Sequence, residues 1–167
     1  MESEFKRRDK VNYYLDMAEV VGKRSTCIRK QYGAVIVKND EVVSTGYVGA
    51  PRGRKNCIDL GTCRREQLKV PRGERYELCR SVHAEQNAII SASRERMLGS
   101  SLFLTGIDLK DNGNYVEKAM PCAMCKRVII NAGIKTVFIR DTYDEYRKID
   151  VQDWIENDDS LAAAFGY

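Results

Sequence analysis

The sequence predicts an α/β fold, a three-layer α/β/α sandwich around a mixed central sheet. Segments with helical periodicity and runs rich in β-branched residues follow one another in the order α-β-β-α-β-α-β-α. A tight turn joins the first two predicted strands, whereas helices separate the later ones. A sheet built in this way mixes strand directions and carries helices on both faces.

The first half of the chain is predicted to form a helix, a β-hairpin and a long irregular segment. Apolar side chains at three-to-four spacing define the helix, and Asn39-Asp40 is a hairpin turn signal between two β-rich runs. The predicted bounds are a helix over 4–22, strands over 32–38 and 41–48, and an irregular segment over 49–80.

The second half alternates helices and strands. Pro121 suits a helix start because its missing N–H costs little there, and Gly133 suits the end of the same helix. The predicted elements are a helix over 81–95, a strand over 101–106, a polar loop over 107–120, a helix over 121–132, a strand over 134–140, a short helix near 142–148 and a C-terminal helix near 151–164.

The bulk properties predict one globular domain over residues 1–167 with a basic, cysteine-containing insertion at about 49–80. The net charge is +4, yet residues 50–80 alone hold nine Lys or Arg against four acids. Such a stretch suits an anionic substrate or effector. The alternative is a solvated loop whose charges maintain solubility.

The composition also bears on the compartment. No apolar run approaches the roughly 20 residues that span a bilayer, and the acidic residues near the N-terminus do not suit a signal peptide. We therefore expect a cytoplasmic protein with no membrane partner. Six cysteines in that compartment indicate metal binding or catalysis rather than disulfides.

The most informative pattern joins His83-Ala84-Glu85 to a Pro-Cys-Ala-Met-Cys string at 121–125. His83, Cys122 and Cys125 are three ligands suited to zinc, which leaves a fourth tetrahedral position for water. Cys122 and Cys125 share one helical turn, and a helix N-terminus favours thiolates. Glu85 is not needed as a ligand, so it is the candidate proton shuttle.

These residues identify a family resemblance. The paired H-x-E and P-C-x-x-C strings are the signature of zinc nucleobase deaminases. Over roughly residues 10–147, the chain resembles deoxycytidylate (dCMP) deaminases of the cytidine deaminase superfamily. The segments that carry the resemblance are STCIRKQYGAVIVK (25–38), STGYVGAPRG (44–53), HAEQNAI (83–89), PCAMC (121–125), INAGIKTVFI (130–139) and DTY (141–143).

The resemblance implies a zinc-dependent hydrolysis that converts dCMP to dUMP and ammonia. His83, Cys122 and Cys125 then correspond to the zinc ligands and Glu85 to the group that moves protons. The residues that the resemblance places near the base, sugar or phosphate are Ala84, Gly46, Tyr47, Gly49, Pro51, Arg29, Lys30 and Tyr143. For Arg29, Lys30 and Tyr143 the alternative is a surface charge or a packed ring.

One position departs from the family pattern. Members of the family usually have the sequence Gly-Tyr-Asn-Gly here, and the Asn side chain hydrogen-bonds the base or the sugar. This chain has Val48 at the Asn position. Valine can neither donate nor accept, so a contact worth about 1 kcal/mol is missing or comes from elsewhere. A modified cytidylate is therefore an alternative substrate.

The other four cysteines lie in or near the basic insertion. Because some family members carry a second, structural zinc in this region, we predict a closed four-thiolate site of Cys27, Cys57, Cys63 and Cys79. Such a site would stabilise a loop without a core of its own. The alternative is four buried cysteines without a metal.

The resemblance also implies assembly and regulation. Family members are often homo-hexamers that dCTP with Mg²⁺ activates and dTTP inhibits, and Arg94 and Arg52 are the candidate effector contacts. Two other functions are alternatives to the dCMP deaminase hypothesis. A tRNA or nucleic-acid deaminase is disfavoured by the G-Y-x-G-x-P-x-G string, and a non-catalytic, zinc-stabilised nucleotide-binding module would have no use for Glu85.

Overall fold

A computed structural model describes residues 5–157 of the chain. A 3-10 turn covers Tyr76–Leu78. The helices and strands, in chain order, are α1 (Lys10–Gly22), β1 (Lys30–Lys38), β2 (Glu41–Tyr47), α2 (Cys57–Leu60), α3 (Arg64–Gln67), α4 (Ala84–Ile90), α5 (Arg94–Met97), β3 (Ser101–Asp108), β4 (Asn114–Tyr115), α6 (Ala123–Ala132), β5 (Thr136–Arg140), β6 (Tyr146–Asp150) and α7 (Val151–Glu156).

The strands form one mixed sheet in the order β2-β1-β3-β5-β6, with β4 paired to the outer part of β3. Neighbouring strands run antiparallel except β3 and β5, which are parallel and are connected through α6. Asn39 and Asp40 both adopt positive φ in the β1–β2 turn, as a two-residue hairpin turn requires. The predicted hairpin and the mixed sheet are confirmed.

Helices cover both faces of the sheet. On one face, Tyr14, Leu15 and Ala18 of α1 pack against Val35 and Phe103. On the other face, α4, α5, α6 and α7 pack over a core in which Ile36, Leu104 and Ile139 are fully buried. The predicted three-layer α/β/α sandwich is therefore confirmed. Within residues 5–157, no helix is both long and apolar enough to cross a membrane.

Several element bounds differ from the prediction. Helix α1 begins at Lys10 because the Asp9 side chain accepts the Asn12 N–H and caps it. The helix predicted over 81–95 is two helices, α4 and α5, with Ser93 capping the second. The short strand β4 was not predicted.

The helix predicted near 142–148 is wrong. Residues 142–144 turn, and β6 then pairs antiparallel with β5, its side chains alternating between exposed and half-buried. Pairing with β5 satisfies an edge that would otherwise be open, and this tertiary contact overrides local propensity. Of the C-terminal helix predicted near 151–164, α7 reaches Glu156, and residues 158–164 lie outside the described residues.

Candidate metal centre and substrate pocket

Two helix starts meet at the same end of the sheet. His83 precedes α4 and Cys122 precedes α6, and both residues have extended backbone conformations. Cys125 follows one turn into α6, and the two helices pack against each other. Gly46 on β2 permits this arrangement, because a Cβ at that position would lie 2.3 Å from the Ala84 carbonyl oxygen. The sheet therefore brings together two segments that are almost 40 residues apart.

The three predicted ligands have the geometry of a zinc site. The His83 Nδ1 atom lies 3.5 Å from Cys122 Sγ and 3.3 Å from Cys125 Sγ. Zinc–nitrogen bonds of about 2.0–2.1 Å and zinc–sulfur bonds of about 2.3 Å at a tetrahedral angle would place N and S roughly 3.6 Å apart. Among residues 5–157, these three residues are the only group of three or more His, Cys, Asp or Glu whose ligand atoms all lie within 4.8 Å of one another.

The two thiols of this centre differ in acidity. Hydrogen bonds from Cys125 and His83 lower the pKa of Cys122, although burial opposes them. The hydrogen bond to Cys122 and burial raise the pKa of Cys125. Cys122 is therefore the thiolate of the pair, and a metal that binds here must displace the proton of Cys125.

Glu85 lies beside this centre on the first turn of α4. Its side chain is buried, with 5% of the residue exposed. Burial raises the pKa of Glu85 because the charged carboxylate loses solvation, and His83 only partly opposes this effect. A carboxyl group in this environment can hold a proton at a pH where an exposed glutamate is ionised.

A cavity of about 140 Å³ opens in front of Glu85 and His83. It is lined by β1, the end of β2, the insertion and the starts of α4 and α6. The side chains that line it are Cys27, Arg29, Lys30, Tyr32, Val48, Cys63, Arg65, Val70, Arg72, Tyr76, Cys79, His83, Ala84, Glu85, Met120 and Cys122. The lining holds four cationic side chains and one carboxylate, so the pocket favours an anionic ligand.

The predicted substrate residues fall into two groups. Arg29, Lys30 and Ala84 line the cavity. Gly49 bonds to Val82 through both backbone groups, N–H to O at 3.2 and 2.7 Å, and so positions the segment before His83. The Tyr47 carbonyl accepts a 2.8 Å hydrogen bond from the Asn87 side chain, which ties β2 to α4.

Like Gly46, Tyr47 and Gly49, four further predicted contacts lie outside the cavity lining. Pro51 borders a neighbouring groove beside His83, and Arg52 is exposed. The Tyr143 ring, 59% exposed, lies under the Arg8 guanidinium at 4.1 Å. Arg94 donates to the Asn131 carbonyl at 2.9 Å, near the end of α6.

The remaining cysteines approach the same cavity. Cys27, Cys63 and Cys79 line it, and Cys57 is buried. Burial raises the pKa of Cys57, and nearby Cys27, Cys79 and Cys63 raise it further. The four thiols are therefore neighbours, although their sulfur atoms do not form a group within 4.8 Å.

Several residues that line the pocket carry no clear signal in the sequence. Arg65, Arg72 and Tyr76 come from the insertion, where no periodic pattern indicates which side chains turn inward. The sequence position of Tyr32 is a weak indication, because Tyr32 is two residues after Lys30 and the two side chains therefore lie on the same face of β1.

The comparisons with known proteins agree with this geometry. The family model described as the cytidine and deoxycytidylate deaminase zinc-binding region matches residues 8–140. The deoxycytidylate deaminase of Mycobacterium phage D29 is 36% identical over 136 residues, covering 78% of this chain and 94% of the relative. The deoxycytidylate deaminase of Schizosaccharomyces pombe is 35% identical over 133 residues, covering 80% of this chain. The chain spans 37% of the length of that yeast relative.

Two solved structures are similar in fold. The dCMP deaminase from cyanophage S-TIM5, crystallised in complex with dCMP and dUMP, matches with a TM-score of 0.54 and 26% identity over 81% of this chain and 84% of that chain. The cytidine deaminase from Burkholderia pseudomallei matches with a TM-score of 0.51 and 17% identity over 83% and 91% of the two chains, which supports the fold alone.

Proposed function

This chain belongs to the cytidine and deoxycytidylate deaminase zinc-binding family, and on that premise we propose that it hydrolyses dCMP to dUMP and ammonia. The observation that carries the proposal is the placement of Glu85 beside the His83, Cys122 and Cys125 ligand set, inside a pocket lined by cations. The donor set and its spacing fit zinc, as described above.

The residues of this chain supply proton transfer and positioning. Zinc held by His83, Cys122 and Cys125 would supply an activated water near neutral pH. Glu85 is placed to take both protons from such a water and would pass one to the ring nitrogen N3 and one to the amino group. The water oxygen would bond to the amine-bearing ring carbon and become the carbonyl oxygen of uracil, while the C–N bond breaks and ammonia leaves. Ala84 is buried in the first turn of α4, where backbone N–H groups have no helical partners, and so its backbone can bind the base.

The cations would bind the 5′-phosphate. Arg29 precedes β1, Lys30 is its first residue, and both line the cavity. Residues 46–51 hold the neighbouring wall through the bonds of Tyr47 and Gly49. In this proposal residues 49–80 are an insertion into a single deaminase domain over residues 1–167, and Arg65 and Arg72 add positive charge from it.

A substrate panel tests the proposal. We expect the zinc-loaded protein to release ammonia from dCMP and not from deoxycytidine, dCTP or tRNA. Because Val48 lines the cavity, methylated and hydroxymethylated dCMP belong in the panel as the second candidate substrates. Activity confined to free nucleosides or RNA would contradict the proposal.

The role of Glu85 has a separate test. The Glu85→Gln protein should bind as much zinc as the wild type but lose at least about 10²-fold in kcat, because general acid–base catalysis contributes roughly 10²–10⁴. Glu95→Gln, at an exposed position on α5, is the matched control and should keep full activity. A zinc-loaded Glu85→Gln protein that turns over at the wild-type rate would eliminate this role. A wild-type protein that binds dCMP without turnover would instead favour the nucleotide-binding module.

We also propose a second, structural zinc held by Cys27, Cys57, Cys63 and Cys79. The proximity of Cys27, Cys63 and Cys79 to Cys57 supports it, and the four sulfur atoms would have to move closer together to share one ion. Metal analysis should find two zinc ions per chain, and Cys57→Ser should retain one of them with the His83 centre intact. One zinc per wild-type chain together with four titratable thiols would rule out the second site.

Assembly, regulation and compartment are proposed from the same family relationship. We propose a cytoplasmic homo-hexamer that responds to dCTP with Mg²⁺ and to dTTP. The 72% exposure of Ile90, which borders a groove with Met124 and Val128, supports a self-association surface. A monomeric mass in solution, unchanged by either nucleotide, would rule this out.

A further inference from the structure

Tyr32 forms part of the cavity floor and has a fixed ring orientation. It pairs with Gly106 of β3 in the antiparallel register. The ring lies over that glycine, because a Cβ at position 106 would be only 2.5 Å from Tyr32 Cε1. A side chain at position 106 would therefore displace the ring, and its absence leaves the phenol held flat on the sheet.

The Tyr32 hydroxyl is available for a hydrogen bond to a ligand. Among residues 5–157 it makes no hydrogen bond, although the residue lines the cavity. Burial raises the pKa of Tyr32, so the phenol stays protonated at neutral pH and can donate as well as accept. A ligand that enters the cavity can therefore hydrogen-bond to this hydroxyl without displacing a contact within the protein.

The position of Tyr32 selects the part of the nucleotide that it can reach. Side chains at positions 30 and 32 lie on one face of β1, roughly 6.6 Å apart along the strand. Lys30 is the first residue of β1, where the phosphate is proposed to bind. Tyr32 lies two residues further along the strand and near Glu85, whose charge adds to burial in raising the pKa of the phenol. The sugar of a nucleotide lies between its phosphate and its base.

We propose that the Tyr32 hydroxyl hydrogen-bonds the 3′-hydroxyl of the deoxyribose, which makes it a positioning residue for the nucleotide. This inference rests on the proposed function. The Tyr32 contact would replace the polar contact that is lost at Val48. The two residues are neighbours in the cavity lining, because the Val48 backbone N–H donates to the Tyr32 carbonyl at 3.2 Å.

Nucleotide affinity measured by calorimetry tests the proposal without turnover. In zinc-loaded Glu85→Gln protein, adding Tyr32→Phe should weaken dCMP binding about three- to tenfold, the range for one lost hydrogen bond. The same change should leave the affinity for 2′,3′-dideoxycytidine monophosphate unaltered, because that analogue lacks the hydroxyl. Tyr13→Phe, on a half-exposed ring of α1, is the matched control and should alter neither affinity.

The outcomes separate this inference from the proposed function. Equal dCMP affinity in the Tyr32→Phe protein, equal weakening of both nucleotides, or no nucleotide binding at all would each overturn the role of Tyr32. Failure of the wild-type protein to release ammonia from dCMP would reject the proposed reaction, while a selective loss for dCMP over the dideoxy analogue would still support the Tyr32 contact.

Discussion

Val48 is 7% exposed and lies in the cavity wall, so its side chain meets both the protein interior and the ligand. An amide at this position would have no protein partner in the empty cavity but could bond to a nucleotide. Compared with an amide, Val48 therefore favours the stability of the free protein over affinity for the nucleotide, because a buried polar group without a partner costs about 1–3 kcal/mol.

We expect Val48→Asn to lower the melting temperature of the free protein and to enlarge the thermal shift that dCMP produces. Scanning calorimetry with and without dCMP measures both effects. Val42→Asn, at a more exposed position on β2, the strand that ends one residue before Val48, controls for the general cost of replacing a valine by Asn. If dCMP stabilises the Val48→Asn protein no more than the wild type, the side chain at position 48 does not face the nucleotide.

At the scale of elements, the insertion is organised around one arginine rather than an apolar core. Arg65 is 7% exposed, and its Nη2 atom donates to the Pro71 and Glu74 carbonyls at 2.8 and 2.6 Å. The guanidinium lies 4.3 Å over the Tyr76 ring, which meets His83 edge-on at 5.7 Å. These contacts therefore connect the ordered insertion to His83, one of the candidate zinc ligands.

Arg65→Lys should loosen the insertion, because an ammonium group cannot bridge two carbonyls and stack on a ring with the same geometry. We expect faster amide hydrogen exchange across residues 64–76 and an increase in KM for dCMP of about tenfold, with zinc retained at His83. Arg64→Lys, at the exposed neighbouring position, is the control. Unchanged exchange in the Arg65→Lys protein would show that other contacts order the insertion.

At the scale of the whole molecule, a buried ion-pair network joins α1 to the sheet. Arg140 on β5 is fully buried in its side chain and pairs with Asp16 at 2.7 Å and Glu19 at 3.0 Å. Burial alone would raise the pKa of Asp16, but hydrogen bonds from Arg8 and Arg140 outweigh it, and the pKa is lowered. Ionised Asp16 therefore stabilises the folded chain above the pKa of an unfolded aspartate, about 3.9.

This contribution should disappear in acid as the pH falls below about 4 and through the lowered folded pKa. We expect Asp16→Asn to reduce the free energy of unfolding at pH 7 and to differ less from the wild type at pH 3. Urea titrations at the two pH values measure the difference. Asp111→Asn, at an exposed turn position, should show no such pH dependence. An equal deficit at both pH values would mean that packing, and not the charge, stabilises this site.

The sequence by itself determined the fold class and the chemistry of the centre. The periodicity of the apolar residues distinguishes helices from strands. Cys122 and Cys125 are three residues apart at a helix start, so their side chains lie on the same side of the helix in any tertiary context. The spacing of His83 and Glu85 is equally local, because His83 precedes α4 and Glu85 lies in its first turn. These inferences hold because each depends on spacing within one element.

The tertiary structure decided which side chains share the cavity. Arg65, Arg72 and Tyr32 enter it, whereas Tyr143 and Arg94 bind elsewhere. It also turned the helix predicted near 142–148 into an edge strand. Contacts between segments tens of residues apart depend on how the elements pack, and no local period encodes them. The spacing of the motif therefore specified the candidate zinc ligands, while packing selected the residues that line the cavity.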